Sequence, residues 1–302
     1  MPYQHGVRVQ ERATSIVAPI TGTAGLQVVF GTAPINMADD PYKVTNTPVI
    51  AYNWAEAVSK LGYSEEKDED GHYLYTLCAS MYASFKLVNV APVIFVNVLD
   101  PKKHKKENVE ATYPVSMEAV ITITGILPGT VQVKTEADDT ALEVETDYVL
   151  SFNDDGNLVI TLVAGGRGAE ATGLKVSSTS IDPTVVDADD IIGASAGSAE
   201  SGFEVLRQVY PKFGMTPGLI IAPGWSHIPD VGIVLAAKCQ EINGYFSCEG
   251  FVDIDSTPRG CTAYSDVKTT KESAGCNSEH IMALWPCVVS GSIKFWYSAV
   301  MA

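Results

Sequence analysis

Residues 217–224 read Pro-Gly-Leu-Ile-Ile-Ala-Pro-Gly. An aliphatic run opened by Pro217-Gly218 and closed by Pro223-Gly224 has the length and punctuation of a buried strand that ends in a tight turn. The next stretch changes period. Over 229–242, Val231, Val234, Leu235 and Cys239 recur at helical spacing, with Pro229 in the first turn. Residues 245–255 then read as a strand, and 278–284 lead into another. A helix packed between buried strands is the alternation of an α/β sheet.

The same alternation lies upstream. Residues 25–33, Gly-Leu-Gln-Val-Val-Phe-Gly-Thr-Ala, form a short apolar run bounded by Gly. Over 51–61, Trp54, Ala57, Val58 and Leu61 share a helical face, and Gly62 offers the stop. Residues 65–71 are a charged loop. A second helix is expected over 73–88, with Leu74, Leu77, Cys78, Met81, Phe85 and Val88 on its apolar side. Residues 93–98, Val-Ile-Phe-Val-Asn-Val, read as a further buried strand. Further on, Ser198 to Ser201 can cap a helix running through Val205, Leu206 and Val209.

Between these blocks the texture differs. After the basic loop Lys102-Lys103-His104-Lys105-Lys106, helical spacing disappears from 113 to 186. Short alternating runs at 119–124, 130–134, 148–152 and 158–162 take over, with turns at Pro128-Gly129 and at 153–157. The expectation is an inserted small all-β domain. Its eleven acidic residues against Lys134, Arg167 and Lys175 leave a net −8, half of the chain's −16, which suits a solvent-facing surface. The expected organisation is an extended arm at 1–18, the first part of an α/β core at 19–112, the acidic insert at 113–186 and the second part of the core at 187–302.

The charge of −16 over 302 residues disfavours nucleic acid and anionic membrane as main partners. The first residues are polar, without an apolar signal core, and no run of about 18 apolar residues appears. Six cysteines are scattered without a CxxC pair or zinc spacing, which reads as reduced thiols of a protein made in cytoplasm.

Candidate chemistry gathers at strand ends. Asp253 and Asp255 stand where the 245–255 strand finishes, the end at which open α/β sheets bind ligands. Such a pair could hold Mg²⁺ with phosphate, yet neither GxGxxG nor GxxxxGK[ST] occurs. The plainer reading makes them turn carboxylates before Ser256-Thr257-Pro258. Ser226-His227 follows the Pro223-Gly224 turn; with Asp253 or Asp255 it suggests a Ser/His/Asp set, but GxSxG is absent. The expectation is no catalytic residue, no metal and no cofactor. The alternative is a doubly wound α/β enzyme with a ligand or metal site near Asp253, Asp255 and His227. Phe295, Trp296 and Tyr297, with Trp285, read as core or subunit interface, and the Lys102 to Lys106 loop as a solvated turn or a contact for an acidic neighbour.

The order of these pieces resembles the contractile phage tail sheath family. The block from Trp54-Ala55-Glu56-Ala57-Val58 through Val88-Asn89 to the 93–98 strand is similar to the family's helix–helix–strand block, and 217–224 resembles its "PGLL.APG" strand. The resemblance implies a subtilisin-like layered α/β core without protease activity and a β-sandwich insert. It also implies copies of the chain linked head to tail and by strand exchange around an inner tube, with baseplate and tail terminator proteins as further partners. The location implied is the virion tail, assembled in the host bacterial cytoplasm. The family also implies a C-terminal domain and arm beyond the apolar stretch 288–302. The expectation is therefore that residues 1–302 alone are monomeric or irregularly aggregated and form no contractile tubes.

Overall fold

The computed structural model of the chain describes residues 25–153, 155–197 and 199–302. The arm expected over 1–18 lies outside them, as do 19–24, Asp154 and Ser198.

The α/β reading holds at the level of a mixed α/β architecture. Strand β1 (Gln27–Gly31) is followed by β2 (Pro48–Ala51), α1 (Trp54–Leu61), α2 (Thr76–Tyr82) and β3 (Val93–Asn97). The middle of the chain supplies β4 (Lys105–Pro114), β5 (Glu118–Ile121), β6 (Gln132–Thr135), β7 (Tyr148–Phe152), β8 (Leu158–Leu162) and β9 (Gly173–Ile181). Then come α3 (Ala188–Ile192), a small hairpin of β10 (Ser195–Ala196) and β11 (Ala199–Glu200), and α4 (Val209–Phe213). The last third holds β12 (Leu219–Ile221), α5 (Pro229–Gln240), β13 (Glu249–Asp253), α6 (Val267–Ser273), β14 (Ile281–Leu284), the hairpin β15 (Val288–Ser290) with β16 (Ile293–Phe295), and α7 (Tyr297–Met301).

Six strands make the main sheet in the order β14-β13-β12-β1-β3-β2. All neighbours are parallel except β2, which runs antiparallel to β3. β1 and β3 are buried at every position, as parallel strands covered on both faces must be. Val28, Val29, Phe30, Ile94, Phe95, Val96, Ile220 and Ile221 are wholly inaccessible and form the centre of the core.

Several elements depart from the expected spans. The helix expected from 51 begins at Trp54, because Ala51 belongs to β2; the Asn53 side chain accepts from Glu56 N at 2.9 Å and sets the start. The 73–88 helix is α-helical only to Tyr82 and continues as wider π-helical turns to Val88. The helix through Val205 is instead a run of 3-10 turns over Gly202–Gln208 that leads into α4. Ser201 does not cap it, since its hydroxyl is engaged with Ala194 N at 2.9 Å. Only 249–253 of the 245–255 stretch is strand, and Tyr245 is 89% exposed in the preceding turn.

Two three-stranded sheets, β4-β9-β6 and β5-β8-β7, lie between β3 and α3 in the sequence. They enclose their own cluster of Ala119, Ile121, Val133, Tyr148, Leu158, Ile160, Leu174 and Val176. This β region opens at Lys105, eight residues before the expected boundary at 113. The basic loop is accordingly half strand: Lys105 and Lys106 start β4, while Lys103 Nζ lies 2.5 Å from Asp190 of the same chain. His104 is buried there, its Nδ1 accepting from Asp100 N at 2.9 Å and its Nε2 3.0 Å from Asp190.

The apolar stretch 288–302 packs back on the core. Phe295 is wholly buried beside Tyr73 and Tyr82, and Trp296 and Ala299 are buried; Val289 and Met301 remain exposed.

Candidate functional site

Connections leaving the sheet diverge between β1 and β12: β1 leads toward β3 on one side, β12 toward β13 on the other. The crevice beyond the carboxyl ends of two such strands is where open α/β sheets hold ligands. Here it is filled by the chain's own side chains. Thr76 Oγ1 accepts from Thr32 N at 3.1 Å and from Trp225 Nε1 at 3.3 Å, and Thr32 Oγ1 accepts in return from Thr76 N. Trp296 closes the other side. Gly224 lies at φ +80, and a Cβ there would stand 2.9 Å from Thr76 Cγ2 and 3.2 Å from Trp296 Nε1. Beside them buried Asn97 ties β3 to the loop after β1, accepting from Ala33 N at 3.0 Å and donating to Leu99 O at 2.9 Å.

The candidate residues sit one strand further out. Asp253, the last residue of β13, is 2% exposed. Its carboxylate accepts from Ser298 N at 2.9 Å, Ser298 Oγ at 2.5 Å and Ser226 Oγ at 3.2 Å. Ser226 Oγ also accepts from Asp253 N at 3.0 Å. Burial pushes the Asp253 carboxyl up to about 6, against the pull of the Ser298 and Ser226 donors. Asp255 accepts from Thr257 N at 2.8 Å, the geometry of a carboxylate closing its own turn. His227 lies flat on Trp296, with ring centroids 4.7 Å apart and planes 4° apart. Burial lowers its affinity for a proton, with Asp255 acting in opposition.

Ser226 therefore meets Asp253 directly, and no hydrogen bond joins Ser226 to His227 among the described residues. A triad needs the imidazole between hydroxyl and carboxylate. Asp253, Asp255 and His227 do share the wall of a cleft of about 260 Å³ with Gly260, Cys261, Asp266, Thr270, Lys271 and Cys276. Among the described residues, no group of three or more His, Cys, Asp and Glu is placed to hold a metal ion.

Ser298 and His72 were silent in the sequence, and Trp296 was read there only as core or subunit interface. Ser298 and Trp296 reach Asp253 and His227 from the far end of the chain. His72 also stacks on Trp296, at 4.7 Å and 17°. Nothing in the spacing of His72, more than 200 positions earlier, signals that contact.

No family model matches the chain. Comparison with curated proteins nonetheless supports the resemblance to the phage tail sheath family. It is similar to the tail sheath protein of Burkholderia phage BcepMu, 27% identical over 249 residues, which cover 80% of this chain and 47% of that protein. The chain thus spans about half the length of the curated relative it matches.

Proposed function

We propose that this chain is a structural subunit of a contractile tail sheath. It joins copies of itself by head-to-tail contacts and strand exchange into a helical sheath around an inner tube, and contraction drives that tube through the host envelope. The likeness to the BcepMu tail sheath protein carries the proposal. Identical subunits in heterologous contacts that do not close build a helix. The main sheet is suited to strand exchange, because β2 and β14 end it with one strand partner each among the described residues. The inserted β region presents an acidic surface, and a layered, subtilisin-like core fits the parallel sheet. The expected partners are further copies, the inner tube protein, and baseplate and tail terminator proteins, in the tail of the virion. No helix among the described residues is long and apolar enough to cross a membrane.

The likeness to a tail sheath protein supports a structural role over the doubly wound enzyme, whose candidate residues Asp253, Asp255 and His227 line the cleft beside β13. Negative-stain microscopy of the protein purified from its source tests the proposal: rings, tubes or sheath-like polymers are expected. A reproducible hydrolytic or phosphoryl-transfer turnover that disappears in a D253N/D255N double variant would overturn it.

A further inference from the structure

Cys239 stands in the last turn of α5, and Cys248 immediately before β13. The Cys248 N–H donates to the Cys239 carbonyl at 2.9 Å, so the two main chains touch. Residues joined by such a bond stand about 5–6 Å apart at Cα, within the span a disulfide requires. Cys239 Sγ lies over the start of β13, since a Cβ on Gly250 would stand 2.8 Å from it. Cys248 stands just outside β13, two positions before Gly250, and its thiol meets that of Cys239. The short loop between them is fastened by main-chain bonds of 2.6 and 3.1 Å between Ile242 and Phe246.

We propose that Cys239 and Cys248 are a thiol pair that oxidises to an intramolecular disulfide, locking the end of α5 to the entry of β13. The oxidant is a small organic disulfide. Cys248 is 6% exposed and lies between exposed Ser247 and Glu249, whereas Cys239 is wholly buried. Cys248 therefore attacks first, as the thiolate, and expels one small thiolate to give a mixed disulfide. Cys239 then attacks Cys248 Sγ and expels the second. The protein loses two electrons and two protons, and one small disulfide becomes two thiols. Contact with Cys248 and burial both disfavour the Cys239 thiolate, which makes the second step the slower one.

The test is incubation of the full chain with excess 2-hydroxyethyl disulfide at mildly alkaline pH, alkylation of remaining thiols, and peptide mass spectrometry. A Cys239–Cys248 linked peptide is expected, with two fewer alkylated thiols and a melting temperature raised by several degrees until reductant is added. A Cys248→Ala variant should fold, form no link and show no oxidation-dependent rise. Alkylation of all six cysteines after oxidation overturns the proposal. So does a different first-formed pair, such as Cys261 with Cys276 in the cleft, or a rise in melting temperature that persists in the variant.

Discussion

Asp253 carries a pH signature. A carboxyl held at about 6 in the folded chain and near 3.9 when unfolded binds its proton more tightly in the folded state. Below about pH 4 both states are protonated and the group is neutral toward folding. As pH rises from 4 through 6, ionisation in the buried site erodes stability, by about 3 kcal/mol in all. An Asp253→Asn variant keeps an acceptor for Ser298 and has no charge to bury. Its stability relative to the parent, measured by urea unfolding, should rise by about that amount between pH 4 and pH 7. A difference that stays flat across that range would show that Asp253 is not held in a desolvating site. In the sequence Asp253 and Asp255 look equivalent, and only the tertiary fold separates them. The residue that donates twice to Asp253, Ser298, comes from a helix 45 positions later, a distance at which no periodic signal operates.

At the scale of elements, the turn after β12 holds the crevice shut. An alanine at Gly224 has to take a left-handed backbone and push into Thr76 and Trp296. Gly224→Ala should destabilise by about 3 kcal/mol. Part of that cost is a clash with Thr76 Cγ2, so the Gly224→Ala/Thr76→Ser pair, which removes only that methyl, should recover some of it in a double-mutant cycle. Strict additivity would mean that backbone strain alone sets the cost. The elements legible in the sequence were those whose residues face only core: β1, β3 and β12 are continuous apolar runs that no helix or loop imitates. β4 was hidden for the opposite reason. Nearly all its positions are exposed, Val109 at 87%, so no buried face imposes an alternation on Lys105–Pro114. β2 is short and half-buried, and the helical face beginning at Trp54 masks it.

For the whole molecule, the β region between β3 and α3 begins and ends in one place. Lys105 and Ile181 are register partners in the β4–β9 ladder, and just outside it Asp182 N donates to His104 O at 2.9 Å. Replacing 105–181 by a short Gly/Ser turn should therefore leave the main sheet intact and cooperatively unfolding. The cost is about 2–5 kcal/mol, because Leu127 and Ile181 belong to the main core and would leave a void. Loss of any cooperative transition in the urea or thermal melt of the excised chain would show instead that the two regions fold as one. The change from helical to alternating period made the strands β5 to β8 visible in the sequence. The root of the region at His104 and Asp182 was not, since charged and polar residues there read as loop until the buried His104 meets Asp190.

The neighbouring entry and exit of that region also make it a grafting point. A foreign module whose own termini lie about 5 Å apart, the spacing of paired antiparallel residues, would meet the same two stubs without stretching the sheet beneath. If the chain polymerises as proposed, each copy would carry such a guest at an equivalent position, and a regular array of displayed cargo would come from a single exchange of coding sequence.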